Sequence, residues 1–211
     1  MPLFKKKPLV PLQRDAYLSA IADALAEGIK TTARFALYAE TTADSARLIN
    51  DLFSDADPDD PDNLLYVDDF TFDLPISRAP ESEMYVFLTY AFHVAAAYSE
   101  TATGTPAADW VPATQPDFYP TGRLHAPDLS RDLTDAFLLY GDPGLIRAEK
   151  THNLNRQQLQ FAGMCMIYTM LAVTATETNR ATVDVIDEFQ RDLANPGATL
   201  VDILHLPQTA S

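Results

Sequence analysis

ESEMYVFLTYAFHVAAAYSETAT, residues 81–103, is the stretch that decides the fold class. From Met84 to Tyr98, 13 of 15 residues are apolar or aromatic, and only Thr89 and His93 interrupt them. At about 100° per residue, Ser82, Thr89, His93 and Glu100 fall within about 40° of one another. The spacing predicts a helix that is apolar nearly all round, with one thin polar seam. Such a helix belongs at the centre of a bundle.

A second run of the same character lies towards the other end of the chain. Between Phe161 and Val173, 11 of 13 residues are hydrophobic, inside a predicted helix over 153–176. Ala162 and Gly163 would let this helix approach the first closely, so the two form the expected core pair. Around them the 3.6-residue period marks further helices. One spans 13–29, with Tyr17, Ala20, Ile21, Ala24 and Leu25 on one face, and another spans about 31–53. A third spans 128–140, with Asp128 as N-cap and Gly141 as stop, before a GDPG turn at 141–144. Helices over 180–194 and 199–206 complete the set. The expectation is a mainly α fold: a single bundle of six or seven helices around two apolar ones, occupying residues 13–206, with a tail at 207–211.

Three stretches do not read as helix. Residues 1–12, MPLFKKKPLVPL, read as an extended basic arm broken by prolines, in which Leu3, Phe4, Lys5, Lys6 and Lys7 are candidate partner contacts. Residues 64–76 alternate in part and are expected to form a short strand or hairpin. The segment 104–127 carries five prolines together with Trp110, Phe118 and Tyr119. A solvated linker does not usually carry such aromatics. It is expected to be a strap across the bundle or an arm packed on another subunit.

Charge limits the partners. The net charge is −15, from 22 Asp and 8 Glu against 10 Arg and 5 Lys. That balance repels phosphate backbones and anionic lipids, so direct nucleic-acid binding is not expected. The acidity has three readings: a solvated surface, adaptation to high salt, or a face complementary to a basic partner. It peaks between Asp51 and Asp73, with nine Asp and no basic residue, and Asp55, Asp57, Asp59, Asp60 and Asp62 crowd into eight positions. Aspartates at 55, 57 and 59 open like an EF-hand loop. However, Asp60 stands where that loop needs glycine and Tyr66 where it needs a bidentate glutamate. The single Cys165, in an apolar run, is expected to be an inert buried thiol. The two apolar runs are short for a bilayer span and no classical secretion signal is visible, so an intracellular protein without a membrane span is expected.

Catalytic signatures are sparse. No phosphate-cradling glycine loop, nucleophile elbow or paired-cysteine metal motif is present. Glu149 and His152 have the i, i+3 spacing of di-iron bundles, but no second Glu-x-x-His accompanies them. No metal and no cofactor are expected. The buried seam Thr89/His93/Glu100 is the one arrangement with a titratable base near polar groups. It reads as a structural seam first, then as a general-base site or a ligand cavity lined by Tyr85, Tyr90 and Tyr98.

The functional expectation is a non-enzymatic structural or adaptor subunit of a larger protein assembly, homo-oligomeric or mixed. Mainly helical subunits with extended arms also build the head–tail connectors of tailed viruses, which the chain resembles in architecture alone. The alternatives are an acidic inhibitor or immunity-type protein that neutralises a basic partner, and an enzyme or small-ligand binder using the seam.

Overall fold

The computed structural model describes residues 32–54, 81–106 and 127–194. The arm at 1–12, the helices expected at 13–29 and 199–206, the acidic residues 55–62, the extended element at 64–76, the aromatics of the strap and the tail lie outside the described residues. Within them the chain is mainly α and contains no strand. In chain order the helices are α1 (Thr32–Ser54), α2 (Glu81–Thr103), α3 (Pro127–Asp135), α4 (Asp142–His152), α5 (Arg156–Glu177) and α6 (Thr182–Ala194).

Helix α2 has the bounds that its composition predicts, and it is buried without a break from Val94 back to Phe87 and at Tyr85. Its main partner is α5. Two contacts set their relative direction. A Cβ built on Gly163 of α5 would lie 3.7 Å from Leu88 Cδ2 of α2, and Ser99 Oγ lies 2.6 Å from Thr174 Oγ1. Each pair is separated by 75 residues in sequence, so the two helices run parallel and in register. Parallel neighbours need a long return path, and α3 and α4 lie on it. The register is also marked chemically. Thr174 Oγ1 donates its proton to the Met170 carbonyl at 2.7 Å, which makes Ser99 the donor of the inter-helix bond.

Each outer helix presents a stripe to this pair. On α1 the buried face is Tyr38, Ala39, Thr42, Ala43, Ala46 and Ile49, at the i, i+3, i+4 spacing of an amphipathic helix. On α6 it is Val185, Ile186, Phe189 and Leu193. The hairpin joining α5 to α6 closes with a left-handed residue, Asn179 (φ 52°). The Arg180 N–H bonds the Ala175 carbonyl at 2.8 Å and the Asn179 N–H bonds that of Thr176 at 3.2 Å, a Schellman ending. At its other end α5 starts with a reciprocal capping box between Asn155 and Gln158, both bonds 2.9 Å.

Two local readings are corrected. GDPG is not a free turn, because Gly141 is the N-cap of α4 and Pro143 sits in its first turn, where a missing N–H costs nothing. Helix α4 buries only Leu145 and Ala148 fully, too weak a pattern to register as a helix in sequence. The helix before it begins at Pro127, one residue before the expected cap, and finishes in a π-helical turn, Ala136–Tyr140, closed by Gly141 N–H to Ala136 C=O at 2.7 Å. The wider turn carries Phe137 into the core, stacked on Phe92 with centroids 4.5 Å apart.

The stretch Gln158–Glu177 is long and apolar enough to cross a membrane by length and composition, because α5 continues beyond the apolar run at both ends. In the fold, 83% of that window is buried against the rest of the chain.

Close packing of α4 on the π-helical turn yields a paired test. A Cβ on Gly144 would meet Tyr140 Cβ at 2.7 Å and the Ala136 Cα at 2.9 Å, whereas one on Gly163 finds nothing closer than 3.4 Å. Gly144→Ala is expected to cost about 1–3 kcal/mol by overpacking against backbone. Gly163→Ala should change stability by less than about 1 kcal/mol, since alanine's helix preference offsets the tighter contact. Urea titrations of both variants check this; equal losses would mean that Gly144 does not hold α4 against the turn.

Candidate functional site

The seam along α2 is the first candidate. Thr89 and His93 stand one helical turn apart and are 1% and 3% exposed. Glu100 lies two turns beyond His93, about 10.5 Å along the axis, and is only half-buried. The helix therefore brings Thr89 and His93 together inside the core and leaves Glu100 at its rim. Tyr90 is fully buried beside them, and Gln160 of α5 is 1% exposed. Thr89 Oγ1 and Gln160 Nε2 have no hydrogen-bond partner among the described residues. An imidazole at this depth is shut away from solvent and from any substrate that is not itself enclosed.

The other two tyrosines considered as cavity lining tie helices together instead. Tyr85 donates to Glu149 Oε2 of α4 at 2.7 Å. Tyr98 donates to Glu188 Oε2 of α6 at 2.5 Å, and Arg180 Nη1 reaches both Tyr98 Oη (3.1 Å) and that same carboxylate oxygen (2.8 Å). Arg180 Nη2 takes the second oxygen of Glu188 at 2.7 Å, so the carboxylate is gripped through both oxygens. The Arg180 hydrogen bond, seconded by that of Tyr98, holds the Glu188 carboxyl down at about 2. Burial, then the bond to Glu188, pushes the Tyr98 phenol up.

Glu149 and His152, spaced like metal ligands in the sequence, are drawn apart by different neighbours. Glu149 accepts from Tyr85, while His152 Nε2 pairs with Asp132 Oδ2 of α3 at 2.8 Å. Both lie in the last turn of α4. Burial and the nearby Asp132 push the Asp135 carboxyl up. Among the described residues no three His, Cys, Asp or Glu side chains are placed to hold a metal ion. The Cys165 thiol is buried, and burial pushes its pKa up, so it stays protonated at neutral pH.

A third junction joins α1 to α6. Arg47 donates to Asp187 at 2.5 Å and to Gln190 at 2.8 Å, and also to Asp44 on its own helix at 2.8 Å. The Asp187 hydrogen bond pushes the Arg47 guanidinium further up, despite partial burial. The helix-to-helix partners stand 20 to 143 residues apart, too far for a local sequence signal, while Arg180–Glu188 and Arg47–Asp44 are eight and three residues apart. A hint was available only in the scarcity of cations, which makes each arginine beside an apolar stripe a candidate for pairing. Comparison of the chain with family models, with characterised proteins and with solved structures finds no match.

The Tyr98–Arg180–Glu188 junction gives a pH prediction. A carboxyl depressed in the folded state contributes stability that is complete above its unfolded value and is lost as pH falls towards about 2. Glu188→Gln should therefore flatten the acid limb of the stability curve between about pH 5 and pH 2, relative to the native chain. Tyr98→Phe should cost about 0.5–1.5 kcal/mol at neutral pH. Thermal melts across that range check both; an unchanged acid limb in Glu188→Gln would show that the ion pair does not bear on folding.

Proposed function

We propose that this protein is a non-enzymatic structural or adaptor subunit of a protein assembly, built as a single bundle of six or seven helices around α2 and α5. The observation that carries the reading is where the reactive side chains sit. His93 is enclosed in the core, and Tyr85, Tyr98, Glu149, His152, Asp132, Glu188 and three arginines are engaged across or beside helix junctions. The chemistry of the described residues goes into holding a scaffold. On this reading α5 is a core helix rather than a membrane span, and the protein works inside the cell without a cofactor.

The partners are other protein subunits, the same chain or another. An acidic chain with its lysines concentrated near one end can meet a second copy through opposite charges. The surplus of Asp over Lys also suits a salt-adapted protein. An inhibitor of a basic partner is the runner-up, favoured by the acidic run at 51–73.

Light scattering after gel filtration, at low salt and in molar KCl, tests the reading. A discrete oligomer is expected in at least one condition, with helicity unchanged when residues 2–12 are deleted. His93→Ala should alter stability but leave the oligomer's stoichiometry intact. A monomer in both conditions, which captures a basic protein in a salt-sensitive complex, would replace this reading with the inhibitor one.

A further inference from the structure

Among the described residues the three large apolar side chains that stand exposed are Leu37, Leu48 and Val183, each between 43% and 45% accessible. All belong to α1 and α6, two helices packed extensively on each other. On α1, Leu37, Glu40, Asp44, Leu48 and Asp51 fall within about 80° of one another, on the side opposite the buried stripe. Apart from the two leucines, this face is acidic, with Arg47 at its edge bonding one oxygen of Asp44 at 2.8 Å. Val183 lies one turn before Asp187, the α6 carboxylate that Arg47 bonds. The pattern along α1 is thus apolar, acidic, apolar, with an acidic residue beyond.

The chain carries the complementary pattern once. In MPLFKKKPLVPL, apolar pairs Leu3-Phe4 and Leu9-Val10 flank Lys5–Lys7, and those are three of its five lysines. The spacings agree. Leu37 and Leu48 are eleven residues apart on a helix, about 16.5 Å at 1.5 Å per residue. Phe4 and Leu9 are five residues apart, about 16 Å in an extended segment at 3.1–3.4 Å per residue. Seated with Phe4 and Leu9 on the two leucines, the arm sets its lysines over Glu40 and Asp44. Pro8 and Pro11 favour an extended conformation, which lowers the ordering cost of docking.

We propose that the N-terminal arm of one copy docks on the exposed α1–α6 face of a second copy, its apolar pairs on Leu37 and Leu48 and its lysines against Glu40 and Asp44. This rests on the assembly reading above and names its contact. The occupant is taken to be the arm of a second copy, because its lysines bring opposite charge to a face rich in carboxylates.

The test uses the full chain and absolute mass in solution. Two variants are made: an arm variant with Lys5, Lys6 and Lys7 each changed to Glu, and a face variant with Leu37→Glu and Leu48→Glu. All five positions lie outside the core stripe or outside the helices described, so circular dichroism should match the native chain. Expected is an oligomer for the native protein, a mass reduced to monomer for each variant alone, and recovery of a complex of higher mass when the two are mixed. Mixing recovers it because one still has an intact arm and the other an intact face. An oligomer that both variants keep would overturn the docking contact and leave the assembly reading standing. A native monomer, at low salt and in molar KCl, would overturn both. A native oligomer lost in the variants but not recovered on mixing would overturn the arm-to-face pairing.

Discussion

The parallel contact between α2 and α5 is the constraint on which the rest of the structure depends. Two helices that are apolar nearly all round have no built-in orientation, since one greasy face packs much like another. Register must come from shape and from polar groups. Shape comes from Gly163, which admits Leu88 and Phe137 against the α5 backbone. Polarity comes from Ser99 and Thr174, both fully buried and bonded to each other. Slipping the register by one turn would strand the Ser99 hydroxyl in the core, at a cost of about 1–3 kcal/mol. The hydroxyl pair therefore acts as a lock on an otherwise slippery interface.

Locking that pair in parallel forces the chain to return along the outside between them, and the return path explains the irregularities near α3 and α4. The π-helical turn lets Phe137 reach both Phe92 and the hollow at Gly163. Gly141 can then reverse the chain at positive φ, and Gly144 lets α4 press on the turn it has just left. The His152–Asp132 and Tyr85–Glu149 bonds fasten α4 to α3 and to α2. On the other side, α6 returns antiparallel and is held by Arg47 and Arg180. Exposed ion pairs usually contribute little stability. Their value here is directional: they fix which way an amphipathic helix faces, while Val185, Ile186, Phe189 and Leu193 supply the burial.

How much of this was legible in the sequence follows from the physics of each signal. The bounds of α2 were legible because fifteen residues of nearly continuous apolar sequence admit few other structures. The mainly α class followed from the same periodicities. Helix α4 was not legible, because Leu145 and Ala148 give it a two-residue core stripe and its cap reads as a turn. The seam was legible in part: geometry places Thr89 and His93 on one buried line, but it carries no information on depth, and Glu100 emerges at the rim. The junctions of Tyr85, Tyr98 and Arg47 were beyond reach, since no local pattern records which carboxylate a distant tyrosine or arginine will meet.

Charge placement links the scaffold to its surroundings. A chain with 30 acidic side chains and 15 Lys and Arg cannot neutralise its surface. Arg47, Arg180 and Arg191 are all drawn to carboxylates of α6. On the outward face of α1, Glu40 and the Arg47-bonded Asp44 lie between two exposed leucines, while three lysines stand in the first seven residues. A purely solvated acidic surface has no need to separate its cations in this way, and isolated leucines on such a face lose more by exposure than a polar residue would. On the proposed docking, positive charge at one end and an apolar-acidic face on the body give two copies an attractive contact between unlike parts. In that docking the net charge that disfavours body-to-body contact would favour the orientation in which an arm meets a face.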